Sequence, residues 1–246
     1  MTETTSSCEW LHRKLAELPS PIRFPFELKD LPKNGIYFFY EDGEKWGHGS
    51  GEPRIVRIGT HKDGNFQSRI SEHYLVKGAS AMSFTKDNPA PKDRSIFRKN
   101  LGRAILNKDK DQYLEEWNID FTTHQNKVDF GSKRDIEKER SLESQITKVL
   151  RSSFSFRFIL FEGEAERMGS EGLESRLIST VARCGLCSSS KGWLGRQSPD
   201  KRISNGKLWL VQHLKSNGLD TKDEHAVAAV VEKTKQWIDK HERGKY

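Results

Sequence analysis

The sequence predicts an α/β fold: a small, largely antiparallel three-stranded sheet flanked by helices, with a helical insertion and a C-terminal extension. Three observations predict it. Two apolar runs, at residues 35–40 and 54–59, are joined by a glycine-rich loop, the layout of a hairpin with an elaborated tip. A third β-rich run, FSFRFILF, fills 154–161. Between and beyond these runs, apolar residues recur at spacings of three and four, the mark of amphipathic helices.

Residues 1–32 read as an N-terminal extension: a polar start, a short helix at 10–18, and a stretch punctuated by Pro19, Pro21, Pro25 and Pro32. Asp42-Gly43 is a turn signal between the first two strands. Asp63-Gly64-Asn65 offers caps for a helix over 66–77, with Phe66, Ile70 and Tyr74 as its buried stripe. Pro89 and Pro91 then lead into a helix over 94–105 that turns Phe97, Leu101 and Ile105 inward. Residues 107–134 are polar and irregular, with a strand expected near 117–121. The helix expected over 135–150 carries acids early and Lys148 late, which suits its dipole. The third strand and a helix over 171–183 follow.

A Ser/Gly-rich break at 188–192 opens a tail with Trp193, Trp209 and a final helix over 222–241. That helix sets Val227, Val230, Thr234, Trp237 and His241 on one side, as a packing cap would. The expected organisation is a core at 33–187, a helical insertion at about 78–150, and an extension from 188 packed on the core.

Composition sets the class. Of 246 residues, 34% are hydrophobic and 31% charged, and 13 Phe and 6 Trp are spread along the chain, so a real core is expected rather than long disorder. The net charge of +7 and pI near 9.2 suggest a polyanionic partner. Three cysteines are too few for a disulfide framework. No apolar run approaches the roughly 20 residues of a membrane span, and MTETTSSCEW lacks a signal-peptide layout. A soluble protein of a reducing compartment, the cytoplasm, is expected.

Several residues stand out for chemistry. Arg69 and His73 sit four apart on one helix, so their side chains lie one above the other. Glu174 falls in register with Ile178 and Val181 on a helix that also buries Leu173 and Leu177. A carboxylate on an apolar face is costly unless it is paired or holds a metal. Lys92, Arg94, Arg98, Lys99 and Arg103 form the densest basic patch, opposed only by Asp93, with Arg94 and Arg98 expected to share a solvent face. Lys45 and His48 in the hairpin loop are further candidates. Cys184-Gly-Leu-Cys187 has the spacing of half a zinc site, but no second pair exists and Cys8 is far away. Two small core residues after a helix is the preferred reading.

Gly35-Ile36-Tyr37 on a strand, a second strand ending Ile58-Gly59, a helix with Arg69 and His73, and a later helix with Glu174 together resemble the GIY-YIG nuclease superfamily. The nearer resemblance is to its restriction-enzyme-like branch, in which Arg is followed four residues later by His. RIVRIGTH, SIFRKNLG, WLGRQSP and NGKLWLVQHL also look like stretches of bacterial members. The resemblance spans roughly 33–215. It departs at Arg57, which stands where the second triplet should open with tyrosine.

The resemblance implies Mg²⁺-dependent hydrolysis of DNA phosphodiesters, with Mn²⁺ as a substitute ion. Tyr37 would approach the attacking water and Glu174 would be the one protein ligand of the metal. Arg69 would hold the scissile phosphate, and His73 would orient a phosphate oxygen or serve the leaving group. At the position that departs from the family, Arg57 is expected to bring a fixed positive charge toward Tyr37. The basic patch would position double-stranded DNA, and cutting both strands with one site per chain favours a homodimer. Two other classes stay open: a catalytically degenerate DNA-binding module of the same fold, and a structural protein with a basic surface.

Overall fold

A computed structural model of the chain describes residues 6–49, 51–76 and 78–243. In chain order its main elements are α1 (Ser7–Ala16), β1 (Ile22–Arg23), β2 (Ile36–Lys45), β3 (Pro53–Gly59), α2 (Phe66–Tyr74), α3 (Pro91–Arg94) and α4 (Ile96–Lys108). There follow α5 (Leu114–Asn118), α6 (His124–Phe130), α7 (Ile136–Ser153), β4 (Phe154–Ile159), α8 (Glu164–Arg167), α9 (Leu173–Arg183), α10 (Lys201–Ser204) and α11 (Thr221–Arg243). The chain falls into two units. The first comprises Met1–Gln67, Phe154–Ser190 and Leu210–Tyr246, and the second Ser68–Ser153 and Lys191–Trp209.

The first unit holds the sheet. Among the described residues it has four strands in the order β1-β4-β2-β3, and every pairing is antiparallel. The strand beyond the expected three is β1, a two-residue edge that pairs Ile22 with Phe156. Its sequence carries no alternation to announce it, because two residues hold no period. β2 is an inner strand, and residues 36–40 are buried on both faces, so its apolar run is continuous. α9 packs against β3, and α11 against both β4 and α1. On α11, Val227, Val231 and Thr234 are fully buried, and the Thr234 hydroxyl accepts the Leu160 N–H at 2.9 Å. This helix covers the sheet as a cap.

The second unit is helical. α4 lies at its centre, packed by α3, α5, α7 and the turn at Leu194–Gln197. The strand expected near 117–121 is instead the end of α5 and a turn. Trp117 is completely buried and donates its indole N–H to the Lys99 carbonyl at 3.0 Å. A Cβ on Gly102 of α4 would overlap that indole, so a glycine in mid-helix makes room for a tryptophan. Of the expected C-terminal extension, residues 191–209 belong to this unit and 210–246 to the first. The expected end of the α2 helix at Lys77 lies outside the described residues.

Candidate active site

The two glycine triplets meet across the hairpin at one residue pair. Tyr37 on β2 pairs with Gly59 on β3 and with Phe158 on β4, while Phe39 pairs with Arg57. Side chains two residues apart share a face, so Tyr37, Phe39, Gly59 and Arg57 all belong to one face of the sheet. The Tyr37 ring is 1% exposed and meets Phe39 and Phe66 edge-on, with centroids 5.5 and 6.1 Å away. A Cβ on Gly59 would overlap the Tyr37 ring and hydroxyl, so this glycine is there for space. Arg57 is buried beside them.

The chain leaving β3 is tied down atom by atom. Thr60 donates its backbone N–H to Glu174 Oε1 at 3.1 Å and its hydroxyl to the Gly35 carbonyl at 3.1 Å. His61 Nδ1 donates to the Lys62 carbonyl at 2.6 Å, which leaves Nε2 to accept the Gly35 N–H at 3.2 Å. Burial lowers the His61 pKa and favours the neutral ring that this pattern needs. The buried Arg167 guanidinium donates to the carbonyls of Phe161, Glu162 and His61 and to the Asp63 carboxylate. Both backbone groups of Gly35, the first residue of the first triplet, are thereby bonded to the residues just after the second.

Glu174 sits in the first turn of α9, whose dipole favours a carboxylate. As expected, its helix buries Leu173, Leu177, Ile178 and Val181. The carboxylate itself is half-buried and takes the Thr60 N–H on one oxygen. Tyr37, Gly59, Thr60 and Glu174 thus follow one another in space. A partly exposed carboxylate fits a Mg²⁺ ion, which keeps several waters and needs only one or two protein oxygens.

Arg69 and His73 stand one turn apart on α2, within the second unit. Arg69 is about one-third exposed and donates to the Glu72 carboxylate at 2.9 Å and to the Arg94 carbonyl at 2.8 Å. His73 is fully buried, with Nδ1 2.8 Å from the Ser95 hydroxyl and its ring edge-on to Phe97 at 5.7 Å. Ser95 is also the N-cap of α4.

The basic patch divides. Arg94 is exposed and Arg103 is half-buried, bonded to Asn100 and Asn118. Arg98, expected beside Arg94 on a solvent face, is instead internal: it pairs with Glu143 and donates to the His73 carbonyl and the Thr147 hydroxyl. Lys92 is internal too, bonded to Asp93 and the Ile119 carbonyl, with its ammonium over the Trp117 and Phe121 rings. Lys99 is buried, and desolvation together with the Lys92 charge pushes its pKa down to about 8. For Arg98 the physical reason is Glu143 on α7, a buried carboxylate that draws its guanidinium inward, whereas the Lys92 and Lys99 ammoniums both turn to the Ile119 carbonyl.

Reading by residue type passes over Thr60, His61 and Arg167, which hold the site's backbone. His61 is visible only as the residue two places after the second triplet. Lys45 ends β2 as an exposed side chain, and His48 lies against the cysteines. Among the described residues no helix is long and apolar enough to cross a membrane.

No match was found among curated proteins or among solved structures. A family model described as GIY-YIG domain matches residues 13–237, which takes in the paired triplets, the helices with expected site residues, and most of α11. Every element that shapes the Tyr37–Gly59–Thr60–Glu174 run lies inside that match, and the chain therefore belongs to the GIY-YIG family, whose domain is that of a metal-using DNA nuclease.

Proposed function

We propose that this protein is a Mg²⁺-dependent endonuclease that hydrolyses double-stranded DNA, acting in restriction or defence. The observation that supports this reading is the alignment of Tyr37 and Arg57 on one sheet face with Glu174 held at Thr60. A divalent cation on Glu174, Mg²⁺ or Mn²⁺, would supply Lewis-acid charge to a phosphate oxygen. Tyr37, in its phenolate form, accepts the proton of the attacking water as the new P–O bond forms, and the leaving oxygen takes a proton from solvent as its bond to phosphorus breaks. Arg57 contributes a fixed positive charge on the same face. Arg69, the more accessible of the α2 pair, offers a planar fork to a phosphate. His73, being buried, acts through Ser95 at the start of α4 as a positioning residue. Arg94 and Arg103 contact the DNA backbone, and these contacts carry no sequence information.

The test is incubation of the purified chain with several long DNAs, with Mg²⁺ present or omitted. Discrete fragments that require Mg²⁺ are expected, and a Mg²⁺-dependent smear would reduce the reading to a non-specific nuclease. Glu174→Ala should lose cleavage and keep DNA retention at low salt. Folded wild type that binds DNA and never cuts it would overturn the enzyme and favour a binding module, with Arg57 as the mark of lost catalysis.

A further inference from the structure

The three cysteines do not behave as separate small core residues. Cys8 begins α1, Cys184 and Cys187 follow α9, and all three sulfurs gather with His48 from the β2–β3 connection. One ligand atom from each of the four lies within 4.8 Å of every other. Cys8 Sγ is 3.9 Å from Cys187 Sγ, and His48 Nε2 is 3.1 Å from Cys184 Sγ. A tetrahedral zinc ion, with Zn–S near 2.3 Å and Zn–N near 2.0 Å, sets its ligand atoms about 3.5–3.8 Å apart. Little closure separates the observed cluster from that geometry.

We propose that Cys8, His48, Cys184 and Cys187 bind a structural Zn²⁺ ion. The proposal is independent of the nuclease reading. Three sulfurs and one imidazole fill all four positions of a tetrahedron, so the site is closed and holds no place for a reacting water.

The Cys187 N–H points at Cys184 Sγ and the Gly47 N–H at Cys187 Sγ, each at 3.4 Å. Gly47 is needed for that approach, because a Cβ there would overlap the Leu186 backbone between the two cysteines. Glu9 places a carboxylate oxygen 3.8 Å from His48 Nδ1. A carboxylate behind the second ring nitrogen is the usual device for orienting a metal-binding histidine, and it leaves Nε2 for the ion. Trp46 covers the His48 ring with its centroid 5.7 Å away. His12, though near Cys8, is not a fifth ligand: Nδ1 bonds the Cys8 carbonyl at 2.8 Å and Nε2 takes the Ile55 N–H at 3.3 Å. A cleft of about 390 Å³ lined by Ser7, Cys8, His48, Arg183 and Cys184 gives an ion a way in.

The ligands come from three segments, residues 8, 48 and 184–187, so the ion would staple α1 and the hairpin loop to the end of α9. The test is elemental analysis of the full chain purified under reducing conditions without chelators, alongside cobalt substitution of the same protein. About one zinc per chain is expected, with the charge-transfer and intense d–d absorption of tetrahedral thiolate-bound Co²⁺. Cys8→Ser and His48→Ala should each lose most of the zinc, whereas His48→Cys should keep it. Should the serine variant fold poorly, the cobalt spectrum of wild type still decides. Folded wild type that takes up no zinc or cobalt would overturn the site, as would a Cys8–Cys187 disulfide found by peptide mapping of freshly isolated protein. So would zinc content unchanged in Cys8→Ser.

Discussion

The site carboxylate of the sheet unit and two interior carboxylates of the helical unit are held in different ways. In the sheet unit, Glu174 stays half-buried and accepts a backbone N–H, while α9 packs around it. In the helical unit, Glu139 and Glu143 are completely buried and each is closed off by an arginine, Arg134 and Arg98. Arg134 also donates to the carbonyls of Thr85, Lys86 and Asn88, so one side chain pins a whole loop. The lesson is that a carboxylate on a helix face says little until its partner is known. A satisfied buried pair is scaffold, and a carboxylate partly open to solvent is a candidate for a ligand.

The largest test of this contrast disrupts each carboxylate environment in turn. Arg98→Met strands the Glu143 charge in the interior and should cost about 3–5 kcal/mol in denaturant unfolding. Glu174→Gln should change the unfolding midpoint little while it eliminates cleavage. Equal destabilisation by the two variants would break the distinction between scaffold and site.

A matched pair of glycines sharpens it further. In an open mid-helix position, Gly→Ala stabilises by roughly 0.5–1 kcal/mol. At Gly102 the new methyl meets the Trp117 indole, so Gly102→Ala should instead destabilise by about 1–3 kcal/mol with cleavage intact at permissive temperature. At Gly59 the methyl meets Tyr37, so Gly59→Ala should depress the cleavage rate even where thermal scans show folded protein. Unimpaired cleavage by Gly59→Ala would remove Tyr37 from the site.

Acid provides a smaller effect at His61 in the sheet unit. His61 has its pKa lowered by burial, so the unfolded chain binds the proton more readily than the folded one. Its contribution is fully present above the ordinary histidine value of about 6.5 and is lost as pH falls below it toward the depressed folded value. Protonated Nε2 would confront the Gly35 N–H with a second donor. His61→Gln, which keeps an acceptor, should flatten the decline of stability between neutral and mildly acidic pH. An unchanged slope would assign the decline to other groups.

The smallest effect concerns Arg94. Arg94→Gln should leave unfolding unchanged and weaken binding to all DNA sequences, with the slope of log affinity against log salt reduced by about one. A stability loss comparable with that of Arg98→Met would put the two arginines back into one class.

The sequence by itself determined the paired triplets, the order of the site elements and the apolar faces of α2, α9 and α11. Each of these rests on local periodicity, on glycine at a crowded position, or on a short motif. Tertiary structure alone decided which polar residues are inside. Arg98 and Glu143 lie 45 positions apart, and nothing near either announces the other. Cys8 and Cys187 are 179 apart, so a half-motif and a lone cysteine became one cluster only when α1 and the segment after α9 met. β1 is likewise too short to carry a period, and its pairing with β4 made it a strand. Burial turns a charge or a thiol into scaffold or ligand only through partners, and partners distant along the chain are supplied by the fold.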